Sequence, residues 1–550
     1  MFDTELKSLF MRLRQGDKQS VQDGQSFDSF EEYLHVPRAV EDQLLQIMSN
    51  IAADGGGIVF LVGSAGDGKS HLMSSVKRLN PELASTFRFH NDATESYSPL
   101  MTSIDTLRVA LRDFSDEKID NTTEKMVVAI NLGKLSAFTE DDDVKQHFTV
   151  LASALSQVLG HPTCQPHEKV HYIDFSCQQI FELDTNESSD YPVSSTFLKT
   201  ILSKITAPVS GNPFFEAYHN CISDGFDPVF TNYKILSIHS VQDAIVKLTI
   251  EAIVRFKLIV TPREFLDFIC SIVVFKNLSG YKVKQNYFDA MLPTLLFEGG
   301  DNKILKAISH LDPIKSSSTE HDSELALLFT SSKVPEKYLS TSLNDIGIVE
   351  VINKFYENNG KDSGKLTKFL FRFDHLTKYH SESQTYILFL SNLRGFYKND
   401  TATILKLYDL VDCAIPRHHG SYYDKQDLVP LNIQGSQYKL FATVSKEVNF
   451  KSSHFDVDHK NQFSTCIALD WIVKDEPLHL DIDYQLFEYL TTLSHGRLSL
   501  NFEGDKNHVF SRFIRALIKN SSSNKRVTIL TENNEERVLS QVMGNLIKLS

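Results

Sequence analysis

The run Ile58-Val59-Phe60-Leu61-Val62 leads straight into Gly63-Ser64-Ala65-Gly66-Asp67-Gly68-Lys69-Ser70, and a helical pattern follows to about Leu79. The order is strand, glycine-rich turn, helix, with the spacing G-x-x-x-x-G-K-S. Glycines let successive backbone N–H groups curl around an anion that side chains would keep at a distance. The helix that follows aims its positive end at the same point. In such a turn Lys69 supplies a point charge to terminal phosphates, and the Ser70 hydroxyl is a ligand for Mg²⁺. The expected nucleotide contacts are Gly63, Ser64, Ala65, Gly66, Asp67, Gly68, Lys69, Ser70 and His71. The expected ligand is ATP with Mg²⁺.

What surrounds this turn sets the fold class. Val40, Leu44, Leu45, Met48 and Ile51 share a helical face that ends at Gly55-Gly56-Gly57. Thr86 to His90 reads as a short strand running into a polar turn, and a helix is expected over about 102–114. Met126 to Ile130 is a continuous apolar run, which suits a strand buried on both faces of a parallel sheet. Val144, Phe148, Leu151, Leu155 and Val158 predict one helix before Gly160, and Val170 to Phe175 a further strand. Strands alternating with helices after a phosphate turn mean an α/β domain, a doubly wound parallel sheet of the P-loop NTPase, AAA-like kind.

The chain has 550 residues, enough for about two to four domains. Residues 1–34 read as a short amphipathic helix and a loose linker, 35–199 as the nucleotide-binding α/β domain, 200–313 as a helical lid, and 314–550 as a mixed α+β domain for partners or DNA. Within the last of these, Leu428–Val473 alternates in places and reads as strand-rich, and helices are expected again at 484–493 and 509–518. A net charge of −14 opposes indiscriminate nucleic-acid binding but leaves room for a local basic groove. The six cysteines show neither C-x-x-C nor zinc spacing. No secretory signal opens the chain, and no run approaches the ~18 apolar residues of a membrane span, so a cytoplasmic protein without a membrane partner is expected.

Hydrolysis requires an acid near Mg²⁺ and the attacking water. No apolar strand after the turn ends in Asp-Glu. Asp92, Glu95 and Asp174 each follow a strand-like run and could serve, or could be solvated turn carboxylates. Asn131, at the end of the best strand, has the position of a γ-phosphate sensor or of a strand-end turn with Gly133. Thr261-Pro262-Arg263-Glu264 spells a capping box with proline at the first helical position. Arg263 stands in that first turn, where lid arginines of AAA-type ATPases reach a terminal phosphate. Lys69, Asn131 and Arg263 are therefore the catalytic candidates and Ser70 the metal ligand. Basic and aromatic residues interleave from Arg394 to Lys425, but Asp400, Asp409, Asp412 and Asp424 nearly cancel the charge, which favours an ordinary solvated surface over a nucleic-acid track. His418-His419 lacks a third metal ligand, and neither a nuclease cluster nor a Ser/His/Asp arrangement is visible.

Five blocks, GSAGDGKSHL, HNDATES, VVAINLGKL, TPREFLDFI and LLFEGGDNKILKAISHLDPI, follow one another within about residues 58–314. Their order resembles the DNA phosphorothioation-dependent restriction protein DptF family. That resemblance implies a P-loop ATPase component of a bacterial defence island, acting with DptG- and DptH-like partners on DNA that lacks phosphorothioate modification. It supports Gly63–Ser70 as the nucleotide site and lends weight to Asn131 and Arg263. It also implies that cleavage or strand opening resides in a partner. The alternatives are a nucleotide-gated scaffold subunit with negligible hydrolysis and a helicase-like motor or loader.

Overall fold

The computed structural model describes the chain except for residues 1–3, 16–28, 64–67, 92–102, 157, 159–165, 176–177, 187–190, 221–226, 276–286, 317, 331–333, 339–342, 344–346, 351, 354–363, 422–426, 432–438, 454, 458, 498–507, 522–525, 531–535, 542–546 and 550. The protein is mixed α/β and divides into two units. The first comprises 1–182, 195–253 and 257–380; the second comprises 183–194, 254–256 and 381–550.

The first unit holds a four-stranded, all-parallel sheet in the order β2-β3-β1-β4, formed by β1 (Gly57–Gly63), β2 (Arg88–His90), β3 (Lys125–Asn131) and β4 (Val170–Asp174). Strand β1 is buried at every position because alternate side chains enter different cores. Ile58, Phe60 and Val62 pack with α4 (Ser103–Leu111) and α5 (Leu132–Glu140) through Leu107, Leu111, Leu135 and Phe138. Val59 and Leu61 pack with α2 (Ala39–Ala53) and α3 (Lys69–Leu79) through Leu44, Met48, Leu72 and Val76. Helices therefore cover both faces. The turn into β1 needs glycine for space, since a β-carbon on Gly56 would lie 2.4 Å from the Thr122 carbonyl oxygen.

Two local expectations are corrected. The helix expected through Phe148 is two helices, Val144–His147 and Thr149–Leu155. Asp116 starts the second: its carboxylate accepts from the Thr149 and Val150 N–H groups at 2.8 and 3.0 Å, an N-cap supplied from 33 residues away. Beyond Asn131 the chain forms α5 instead of a plain turn, because the Asn131 side chain caps it, Oδ1 accepting from the Lys134 N–H at 2.8 Å.

The helical part of this unit includes Thr196–Thr206, Pro228–Leu236 and Pro262–Val273. Helix α1 (Glu5–Gln15) belongs to it: Phe10 is fully buried 5.1 Å from the Phe214 ring, and Arg14 donates to Asp267 and Ser271 at 2.7 and 2.8 Å. Burial of such a ring contributes about 1.5–3 kcal/mol. The buried Asn232 amide joins three segments, donating to the Val273 and Ala290 carbonyls and accepting from the Leu292 N–H.

Residues 314–380 group with this unit. An ion pair inside the core ties them to it. Arg372, on the helix Gly364–Thr377, donates to Asp312 at 2.7 Å and to Glu298 at 3.1 Å, and both Arg372 and Asp312 are almost inaccessible. Phe369, on the same helix, packs 5.2 Å from Phe288.

The second unit is mixed α+β. Its five-stranded sheet has the order Ile547–Leu549, Glu536–Gln541, Arg526–Leu530, Lys439–Thr443, Leu428–Leu431, and every pairing is antiparallel. A second sheet pairs Ile467–Val473 with Glu476–Ile482 and Glu447–Val448. Lys474 and Asp475 make the hairpin turn in left-handed conformations, which that kind of turn requires at both positions. Trp471 is wholly buried between Tyr408 and Phe513. The expected C-terminal helices are present as Tyr484–Ser494 and His508–Ser521, followed by three strands that the sequence does not announce. Among the described residues no helix is long and apolar enough to cross a membrane.

Candidate functional site

Strand β1 lies between β3 and β4, so the connection leaving β1 runs to one side of the sheet and the strand after β3 returns on the other. In open α/β sheets ligands bind outside the carboxyl ends of the strands at such a reversal. Register brings the candidate residues to this edge: Gly63 is level with Asn131, and Val62 with Asp174.

Gly68 begins α3 in the left-handed region (φ +87°), a conformation that disfavours a side chain, and the first turn carries no side-chain cap. The positive end of α3 favours an anion at this point. Lys69 is half-buried and Ser70 exposed. Ser64, Ala65, Gly66 and Asp67 lie outside the described residues, as do Asp92 and Glu95.

The Ser70 hydroxyl donates to Asn91 Oδ1 at 2.8 Å. Asn91 directly follows β2, two strands from β1, and the fold brings it beside the head of α3. Sequence reasoning passed it over as part of a polar turn; the signal was its place immediately after a strand and before Asp92. Asp174 is half-buried at the end of β4. Asn131 uses its oxygen to cap α5, while its Nδ2 donates to nothing among the described residues. The Thr261–Glu264 capping box is formed in both directions: the Thr261 N–H donates to Glu264 Oε2 at 2.8 Å and the Glu264 N–H to Thr261 Oγ1 at 3.3 Å. Arg263 is exposed in that first turn.

A charged group underlies the head of α3. Glu41 is 1% exposed, 3.2 Å from His35 Nε2 and 3.6 Å from the Arg38 guanidinium at Nε, neither contact aligned as a hydrogen bond. Burial pushes the Glu41 carboxyl up, but His35, Arg38 and His71 outweigh it and hold the group below its ordinary value. The His35 and His71 rings are 6.4 Å apart.

The donors suit a magnesium-bound nucleotide. A hydroxyl and an amide oxygen are hard ligands of the kind Mg²⁺ takes alongside water and phosphate, and Lys69 with the α3 N–H groups suits the phosphates. The stretch from Arg394 onward is different. Tyr397 and Tyr408 are buried, and Arg417 donates to the Leu493 and Ser494 carbonyls at 3.1 and 2.6 Å, capping the helix end there. Its aromatic face is thus core, not the solvated surface expected; Tyr422, Tyr423 and Lys425 lie outside the described residues. His418 is also buried, with Nδ1 2.7 Å from the Tyr489 hydroxyl and Nε2 3.1 Å from Ser511 Oγ, and burial beside His419 lowers its pKa to about 4. At that value it is a structural imidazole shared by two hydroxyls, a poor base at neutral pH. Compared with known proteins, the chain matches no protein-family model, no curated protein and no solved structure.

Proposed function

We propose that the chain is the ATP-binding component of a bacterial restriction complex that acts on DNA lacking phosphorothioate modification, together with DptG- and DptH-like partners. The observation that carries the nucleotide reading is the Ser70–Asn91 hydrogen bond at the head of α3, beside the reversal point of a parallel sheet. The restriction context rests on the DptF-like sequence blocks. In this reading residues 35–199 form a P-loop, AAA-like nucleotide domain, 200–313 a lid, and 314–550 the region that meets partners or DNA in the cytoplasm.

Lys69 and the first N–H groups of α3 would neutralise the phosphate tail. Bound Mg²⁺ would draw charge from the phosphate oxygens as a Lewis acid. To ligate it, the Ser70 oxygen would turn a lone pair outward while its O–H still donates to Asn91 Oδ1. Asn131 Nδ2 would donate toward a phosphate or a water, and Arg263 would read the terminal phosphate from the lid. Binding can move the lid only through different affinity for its two positions.

A second reading has its own support. Asn91 and Asn131 are amides where a hydrolytic site uses carboxylates, and an amide orients water without taking its proton. A nucleotide-gated scaffold with negligible turnover follows from that chemistry. Measuring ATP hydrolysis by the assembled complex, with and without DNA, separates the two: turnover stimulated by unmodified DNA supports the ATPase, and none supports the gate. Lys69→Ala abolishes restriction in both, and surviving restriction would refute the coupling.

A further inference from the structure

The helix His508–Ser521 carries His508, Arg512, Arg515 and Lys519 at successive spacings of four, three and four residues. That pattern places them within about 60° of one another round the axis, in a row about 16 Å long. All four are exposed. On the opposite side Phe510, Phe513, Ile514 and Leu517 are buried, and the Phe513 ring packs 4.9 Å from Trp471. The row is therefore the outward crest of a helix whose orientation is fixed by the core of its own unit.

A crest that only had to be solvated would mix its signs. Acids placed three or four residues from lysine or arginine support a helix, and an acid in the first turn suits its dipole. This helix contains neither Asp nor Glu, in a chain where the acids outnumber Lys and Arg by 70 to 56. Arg512–Arg515 and Arg515–Lys519 instead set like charges on neighbouring turns, an arrangement that opposes the helix. The field reaches the layer beneath, where burial and Arg515 together hold the His419 imidazole below its ordinary value. Helix formation does not account for the row; an anion lying along the crest does.

The crest also says what kind of anion. Protein interfaces centre on apolar and aromatic side chains, and this row has none; Val509, on its flank, is the one exposed large apolar residue of the helix. Evenly spaced cations of one sign, two of them arginine forks, suit a repeating phosphate lattice. Duplex DNA presents one such charge per about 1.7 Å of its axis. We infer that the helix His508–Ser521 is a DNA-backbone contact, in which Arg512, Arg515 and Lys519 each neutralise a phosphate without reading sequence. The inference deepens the reading above, from which it takes DNA as the polyanion, and it gives the contact a place within residues 314–550. It also lets a chain of net charge −14 hold DNA by one face while the rest of its surface repels it.

The test measures the affinity of the full chain for a short fluorescent DNA duplex of arbitrary sequence, without nucleotide, between about 50 and 200 mM salt. Wild type is compared with Arg512→Gln/Arg515→Gln, with Arg512→Lys/Arg515→Lys, and with Lys398→Gln/Lys406→Gln, which removes two exposed cations elsewhere in the same unit. Unfolding midpoints are recorded for each. The glutamine pair on the crest is expected to lose about tenfold or more in affinity at the lower salt. Its plot of log affinity against log salt should flatten by about 2, the slope of two phosphates. The lysine pair and the Lys398/Lys406 pair should keep the wild-type slope. An unchanged slope in the folded glutamine pair overturns the inference. So does equal flattening in the Lys398/Lys406 pair, which would trace binding to total charge, or in the lysine pair, which keeps the crest charged. Wild type that binds no DNA at low salt also overturns it and leaves an acidic protein as the partner of the crest. Calorimetric titration of magnesium-ATP into the same proteins reads the nucleotide site separately: ATP uptake without DNA binding sinks only the crest, and DNA binding through the arginines without ATP uptake sinks only the nucleotide reading.

Discussion

Asn91 Oδ1 accepts a hydrogen bond from the Ser70 hydroxyl at the mouth of α3, where a carboxylate would bring a full negative charge toward Mg²⁺. The neutral amide offers the same oxygen geometry with less attraction for a divalent cation. Asn91→Asp is therefore expected to lower the Mg²⁺ concentration needed for half-maximal ATP binding by about tenfold, the effect of one charge-assisted contact. A magnesium titration at fixed ATP reads this directly; an unmoved midpoint would remove Asn91 from the metal site. The residues Gly63 to Ser70 were legible because their chemistry is local and their spacing fixed. Asn91 was not, because its importance comes from a contact across 21 residues and two strands.

At the level of elements, hydrophobic periodicity identified the four strands of the parallel sheet and most helices around it, since β1 and β3 carry unbroken apolar runs and α2 a clean stripe. It failed where a polar side chain from elsewhere overrides the pattern. Phe148 continues an apolar stripe, yet Asp116 offers a better start one residue later and the helix breaks. Leu132–Glu140 was missed because Gly133 suggested a turn, whereas the Asn131 cap suffices to start a helix. The Thr261–Glu264 box, by contrast, was readable because all its parts lie within four residues. Thr261→Ala removes the acceptor for the Glu264 N–H and should cost about 1 kcal/mol, seen as a lower denaturant midpoint. Thr261→Ser should restore most of it. An equal loss in both would mean that the threonine methyl group, not the cap, matters.

Across the molecule, an α/β region followed by a mixed region was legible, while the ties between distant segments were not. The Ser/Thr-rich segment near 316 looks like a linker, while Arg372 is committed to Asp312 across 60 residues. Asp312→Ala strands a buried guanidinium with only the half-exposed Glu298 and should destabilise the chain by about 3–5 kcal/mol in denaturant unfolding. Asp312→Leu with Arg372→Met should recover most of the loss, because an apolar pair carries no desolvation cost; failure to recover would show that the charges themselves hold the helix Gly364–Thr377. The account as a whole depends on the head of α3 binding a triphosphate. Titrating magnesium-ATP into the folded wild-type chain and into Lys69→Ala tests this most directly. Saturable uptake near one molecule per chain, weakened at least about tenfold by Lys69→Ala, is the predicted result; no heat of binding from ATP or GTP to the wild type, or equal binding by both chains, would contradict it.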